Sequence, residues 1–179
     1  MHPSLRILPI CMLLIGCLSP GETRLPGGTY QLQPAADAIP LDEWQEIEVV
    51  HAKGTQKLLA HVLNTPVLTR LTIMDPTSLA TLATCTYEHG TATLCGPLAT
   101  AQPIAPELPI AILQLTTWPY NSAQRGLSGD LSLTTKGDCR VLKDSHSTLV
   151  EVETLPNSTR LIRLPRYETT IKVSPTSQP

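Results

Sequence analysis

The chain has 179 residues, with 17 Pro against 10 Gly, no Phe and a formal net charge of −2. That length fits one domain around a single core and argues against a second. The near-neutral charge argues against the clustered basic surface that nucleic-acid binding needs.

Residues 7–15 are almost wholly apolar and follow a short, weakly basic start around Arg6. A bilayer span needs about 20 such residues, so the run has the length of the hydrophobic region of a secretory signal. It ends in Leu14-Ile15-Gly16-Cys17, which resembles the lipobox of bacterial lipoproteins. The resemblance implies cleavage of residues 1–16 and diacylglyceryl transfer to the Cys17 thiol, a residue type whose thiolate is both nucleophilic and accessible. Each buried CH₂ contributes about 0.8 kcal/mol, so two or three acyl chains anchor stably where one does not. Leu18, where enterobacterial inner-membrane lipoproteins carry Asp, implies sorting to the outer membrane, facing the periplasm. The other reading is a plain secretory signal in which Cys17 is incidental.

Residues 17–40 hold Pro20, Gly21, Pro26, Gly27, Gly28, Pro34 and Pro40 and few branched apolar side chains. Such a stretch buries too little surface to order itself and reads as a flexible tether. The folded domain is expected over residues 41–174, with a tail at 175–179.

Within the domain, Ile47 and Val49 alternate with Glu46 and Glu48, the pattern of a strand with one wet face. Strands are predicted over residues 45–51, 56–63, 67–74, 79–87 and 91–95, separated by Asn64-Thr65-Pro66, Asp75-Pro76 and a Glu88-His89-Gly90 hairpin turn. A second block follows over residues 131–135, 139–143, 148–154, 160–164 and 167–173; in its last strand Tyr167, Thr169, Ile171 and Val173 share a face. About ten antiparallel strands exceed what a flat sheet comfortably holds, so curling is expected. Asp37, Asp42, Glu43, Glu46 and Glu48 gather towards one end of the chain and Arg160, Arg163, Arg166 and Lys172 towards the other; charge runs of this kind read as solvated strand faces.

Between the blocks, residues 106–119 (PELPIAILQLTTWP) do not alternate. Leu108, Ala111, Ile112 and Leu115 fall on one helical face, Pro109 suits a first turn and Pro119 ends the run. Ile110 and Leu113 lie opposite, so the helix is apolar nearly all round and must be covered on two sides. One cover is the concave face of the sheet; the other is either more protein, including a short helix after Asn121-Ser122, or an apolar ligand. A solid core helix and a cavity-lining helix both satisfy the pattern.

The stretches LPIAILQLTTWPYNSAQRGL, CRVLKDS and YETTIKV are similar to those of an uncharacterised family of bacterial outer-membrane lipoproteins found with aryl-polyene and fatty-acid-like biosynthesis clusters. That family resembles LolA and LolB in architecture, a curved, incomplete antiparallel β-barrel with a helix. The resemblance implies a mainly β, LolB-like fold with a central apolar helix. It also implies binding or transfer of a lipid-like molecule, acyl or aryl-polyene in kind. The ligand would contact Leu108, Ile112, Leu115 and Trp118, with Val150 and Val152 opposite. The alternative is a structural or assembly lipoprotein whose solid domain docks an envelope protein partner.

Cys85 and Cys95 flank the predicted hairpin nearly opposite one another, a spacing that can allow a disulfide in the oxidising periplasm. Cys139 would then be a buried free thiol. No Cys-x-x-Cys or ligand-spaced His accompanies them, so no metal or other cofactor is expected. Asp144-Ser145-His146 reads as a turn: triad members converge from separate parts of a fold, and no strand-turn-helix elbow surrounds Ser145. The chain is therefore read as a non-enzyme, with a periplasmic hydrolase as the weakest alternative.

Overall fold

The computed structural model describes residues 19–101 and 104–177. The expected leader, residues 1–16, and Cys17, the expected site of lipid attachment, lie outside the described residues.

In chain order the elements are β1 (Glu22–Leu25), β2 (Gly28–Gln31), β3 (Leu41–His51), β4 (Gly54–Asn64), β5 (Leu68–Met74), β6 (Thr81–Glu88) and β7 (Thr91–Cys95). Three helices follow, α1 (Pro97–Ala101), α2 (Glu107–Thr117) and α3 (Tyr120–Arg125). The chain continues through β8 (Leu127–Gly129), β9 (Ser132–Lys136), β10 (Cys139–Lys143), β11 (Thr148–Thr154), β12 (Arg160–Leu164) and β13 (Thr169–Thr176).

The protein is mainly β. Ten strands form one antiparallel sheet in the order β7-β6-β5-β4-β3-β13-β12-β11-β10-β9. It is two meanders joined where β3 pairs with β13, in a register that sets Ile47 opposite Val173 and Val49 opposite Ile171. Cys85, Tyr87 and Ala92 from one end of the sheet share a buried cluster with Leu133 and Leu142 from the other end and with Ile110, Ala111 and Leu115 of α2. The sheet therefore curls until both ends reach the same core, but its edges β7 and β9 do not pair, so it does not close into a barrel.

The tether reading of residues 17–40 is corrected for the described part, residues 19–40. β1 and β2 form a hairpin that pairs with β8 in a second, three-stranded sheet. Tyr30 is 0% and Leu32 3% exposed, both inside the main cluster. Locally the segment buries little; what orders it is long-range docking. Tyr87 donates its hydroxyl proton to the Leu32 carbonyl at 3.3 Å, and Asp37 accepts from Ser122 Oγ at 2.8 Å and pairs with Arg125. The glycine that suggested flexibility at position 28 instead permits close pairing: a Cβ there would lie 2.0 Å from the Ser128 carbonyl oxygen.

The last strand starts and ends later than expected, and it continues to Thr176, into the stretch expected as a tail from residue 175. Pro165–Tyr167 forms a 3-10 turn, Glu168 adopts a left-handed conformation with φ 48°, and the strand starts at Thr169. Tyr167 is thereby turned out to solvent.

Candidate functional site, an apolar cavity beneath a helix

Helix α2 carries two different faces. Pro109 sits in its first turn, where a missing N–H costs nothing. At the other end Pro119 forces the preceding Trp118 into an extended conformation, φ −76° and ψ 163°, which stops the helix. Arg140 on β10 donates from one Nη to the carbonyls of Leu115 at 3.0 Å and Trp118 at 2.8 Å, placing a cation where the helix leaves its last carbonyls unpaired.

The inner face holds Ile110, Ala111, Gln114 and Leu115, all buried. Gln114 is fully buried and uses both ends of its amide. Its Oε1 accepts the Gln33 backbone N–H at 2.9 Å and the Tyr30 hydroxyl at 3.0 Å, and its Nε2 donates to the Gln33 carbonyl at 3.0 Å. This pairing locks the segment after β2 to the helix and fixes the helix's rotation.

The opposite face, with Leu108, Ile112, Leu113 and Thr116, borders an open apolar cavity of about 340 Å³. Its facing wall is the inner side of the large sheet: Ile47 and Val49 from β3, Leu58 and Val62 from β4, Leu71 and Ile73 from β5, Ile162 from β12, and Ile171 and Val173 from β13. Ile112 remains 42% exposed despite lying between helix and sheet. A smaller hollow of about 100 Å³ shares Leu71, Ile73, Ile104 and Pro109 with this cavity and extends towards Cys85 and Leu98.

Most polar groups in the lining are already satisfied. Thr116 Oγ1 donates to the Ile112 carbonyl at 2.8 Å and Thr117 Oγ1 to the Leu113 carbonyl at 2.7 Å. Gln45 Nε2 donates to Glu43 Oε1 at 2.6 Å. Arg160 is the charged side chain in the lining.

Of the residues expected to meet a ligand, the structure places Leu108 and Ile112 on the cavity wall and the other four elsewhere. Leu115 is 5% exposed in the main core, on the face that Gln114 turns inward. Trp118, 1% exposed, lies beyond the helix end, its indole Nε1 without a hydrogen-bond partner among the described residues. Val152 packs with Ile162 and Val173 and borders a neighbouring polar cleft rather than the cavity. Val150 is half-buried between the two hydrophobic clusters. Sequence reading missed the wall strands as a set and missed Arg160. The alternation of Ile47 and Val49 was a signal for the former, and Arg160 standing in phase with Ile162 on β12 for the latter.

The cysteine pairing is corrected as well. His89 and Gly90 both have positive φ, 49° and 79°, making a two-residue turn that sets Glu88 opposite Thr91. This register places Cys85 opposite Leu94 and Cys95 opposite Thr84, one residue out of step, so the two side chains leave opposite faces of the sheet. Both thiols are free. Cys85 is buried, donates to the Pro106 carbonyl at 3.1 Å, and burial pushes its thiol up to about 12. Cys139 is half-buried rather than buried. Asp144 spends its carboxylate on the backbone N–H groups of His146 at 2.7 Å and Ser147 at 2.6 Å, which holds its pKa below the usual carboxylate value.

No helix among the described residues is long and apolar enough to cross a membrane. Among curated proteins, none matches the chain. Residues 42–177 match the model of the family described as "Protein of unknown function (DUF3261)", and the chain belongs to that family.

Proposed function

We propose that the protein is an outer-membrane lipoprotein, anchored through Cys17, that binds or transfers a lipid-like molecule, acyl or aryl-polyene in kind. On this reading the curled sheet is a LolB-like incomplete barrel and α2 its central apolar helix. The observation that carries the proposal is the unfilled 340 Å³ space between α2 and the sheet, walled by Ile, Val and Leu side chains. A domain with a purely structural role gains by closing such a space, since apolar wall removed from water contributes about 25 cal/mol per Å². The volume also falls in the range of small-molecule sites, about 300–1,000 Å³.

Native mass spectrometry of the protein purified from a bacterial host tests the reading. Co-purified lipid or polyene is expected. A protein that carries none and also fails to take up fluorescent fatty-acid probes would favour the docking of an envelope partner instead. Ile112→Glu places a carboxylate on the cavity wall and is expected to abolish uptake, and a folded variant that still takes up the probe would sink the assignment of this wall.

A further inference from the structure

The apolar cavity adjoins a second space of different chemistry. Beyond Thr116 and Thr117 at the end of α2 lies a cleft of about 370 Å³ bordered by Thr135, Asp138, Arg140 and Arg160. Thr116, Thr117 and Arg160 line both spaces. Arg160 therefore stands at the junction between an oily compartment and a polar one.

Its environment there is unusual for an arginine. In β12 it shares a face with Ile162, so the strand points it inward rather than to solvent. It is half-buried, and among the described residues no carboxylate lies within ion-pair distance of its guanidinium and no carbonyl accepts from it. Glu43 acts on it only at longer range, and burial lowers its pKa. By contrast Arg163, three positions on and so on the opposite face of β12, pairs with both Glu151 at 3.5 Å and Glu153 at 2.9 Å. Buried guanidinium groups ordinarily have such partners, because an unpaired buried charge is costly. Nearby Arg140 adds a second positive charge to the cleft, against one carboxylate, Asp138, on its rim.

We propose that the two spaces form one bipartite site for a fatty acid, its single alkyl chain lying between α2 and the sheet and its carboxylate paired with Arg160. The inference rests on the lipid-binding reading above and specifies its ligand. A methylene takes up about as much room as a water, roughly 30 Å³, so 340 Å³ accommodates on the order of ten carbons, one chain and not two. A guanidinium matches a carboxylate with two parallel N–H···O bonds, and partial burial strengthens them. A neutral head offers Arg160 nothing equivalent.

The test uses the full chain in lipid vesicles with two photoactivatable probes, a diazirine-bearing dodecanoic acid and the matching dodecanol, at mildly alkaline pH where the acid is ionised. Labelling of peptides from α2, normalised to each probe's partition into the vesicles, is expected to favour the acid by at least about tenfold. Arg160→Met is expected to bring that preference close to unity while dodecanol labelling persists, and Arg160→Lys to retain part of it. Equal labelling by both probes in the unmodified protein overturns the carboxylate site while leaving lipid binding standing, and this readout does not depend on any variant folding. An acid preference that survives in folded Arg160→Met also overturns it. Absence of α2 labelling by either probe overturns the lipid-binding reading and this one with it.

Discussion

Gln114→Ala tests whether the segment before the large sheet is an integral part of the fold. The substitution removes an amide that makes three hydrogen bonds, and it leaves the Gln33 N–H, the Gln33 carbonyl and the Tyr30 hydroxyl without partners. Tyr30 is 0% and Gln33 8% exposed, so water does not readily replace the lost amide. A buried polar group left unsatisfied costs about 1–3 kcal/mol, and the excised volume adds to this. A loss of about 4 kcal/mol is expected, a large share of the 5–15 kcal/mol typical of a folded domain. Urea unfolding followed by the fluorescence of buried Trp118 should show a lower midpoint with an unchanged slope. Tyr30→Phe supplies the internal control: it should cost about 1 kcal/mol in the parent but nothing in the Gln114→Ala background, where it removes an already unpaired hydroxyl and should restore some stability. Gln114→Glu keeps Oε1 but sets a carboxylate oxygen against the Gln33 carbonyl, so it should be at least as damaging as alanine. A Gln114→Ala loss below about 1 kcal/mol, or a Tyr30→Phe cost that is the same in both backgrounds, would refute the reasoning.

Three further outcomes follow from the same packing. Cys95 should react with a soluble thiol reagent in the native protein while Cys85 reacts only on unfolding, and peptide mapping under non-reducing conditions should find no Cys85–Cys95 bridge. The Cys85 thiol rises from 9.0 to about 12 on folding, so above pH 9 the unfolded chain ionises where the folded one does not. Stability should fall as pH rises through that window, and Cys85→Ala should remove that part of the slope. Gly126→Ala would set a Cβ 2.4 Å from the Gln31 carbonyl oxygen and 2.5 Å from the Tyr30 ring; a cost of about 1–3 kcal/mol, or roughly 3–10 °C in the thermal midpoint, is expected.

The ten strands of the large sheet were legible because each is long enough to alternate and is bounded by its own turn residues, as Ile47 and Val49 against Glu46 and Glu48 illustrate. Helix α2 was legible from its failure to alternate. The small sheet was not, because β1, β2 and β8 span four, four and three residues and owe their order to contacts such as that between Tyr30 and Gln114, 84 positions apart. No local pattern encodes such a contact. The cavity wall was half legible for a related reason. Periodicity groups Leu108, Ile112 and Leu115 on one face, but the polar bond at Gln114 decides the rotation and sends Leu115 to the core. Arg160 was hidden by a composition argument: charge clusters are usually solvated, and only its phase with Ile162 separates it from Arg163.

The persistence of the cavity has a mechanical explanation in the same residues. Apolar walls attract, at about 25 cal/mol per Å² removed from water, and α2 would gain by settling onto β3, β4 and β13. It is held back from the other side. The Gln114 amide fixes its middle to the Gln33 backbone. Arg140 fixes its C-terminal carbonyls to β10, and the Cys85 thiol holds the Pro106 carbonyl just before its start. A shift of α2 towards the sheet would break several of these bonds at once, each costing about 1–3 kcal/mol if its groups stay buried and unpaired. None of these anchoring side chains but Cys85, which borders the smaller hollow, touches either apolar space, so the restraint operates without filling the site. An apolar ligand entering between α2 and the sheet would recover the burial that the helix itself is prevented from making. The pairing that seats Leu115 in the core is thus also what leaves Ile112 uncovered.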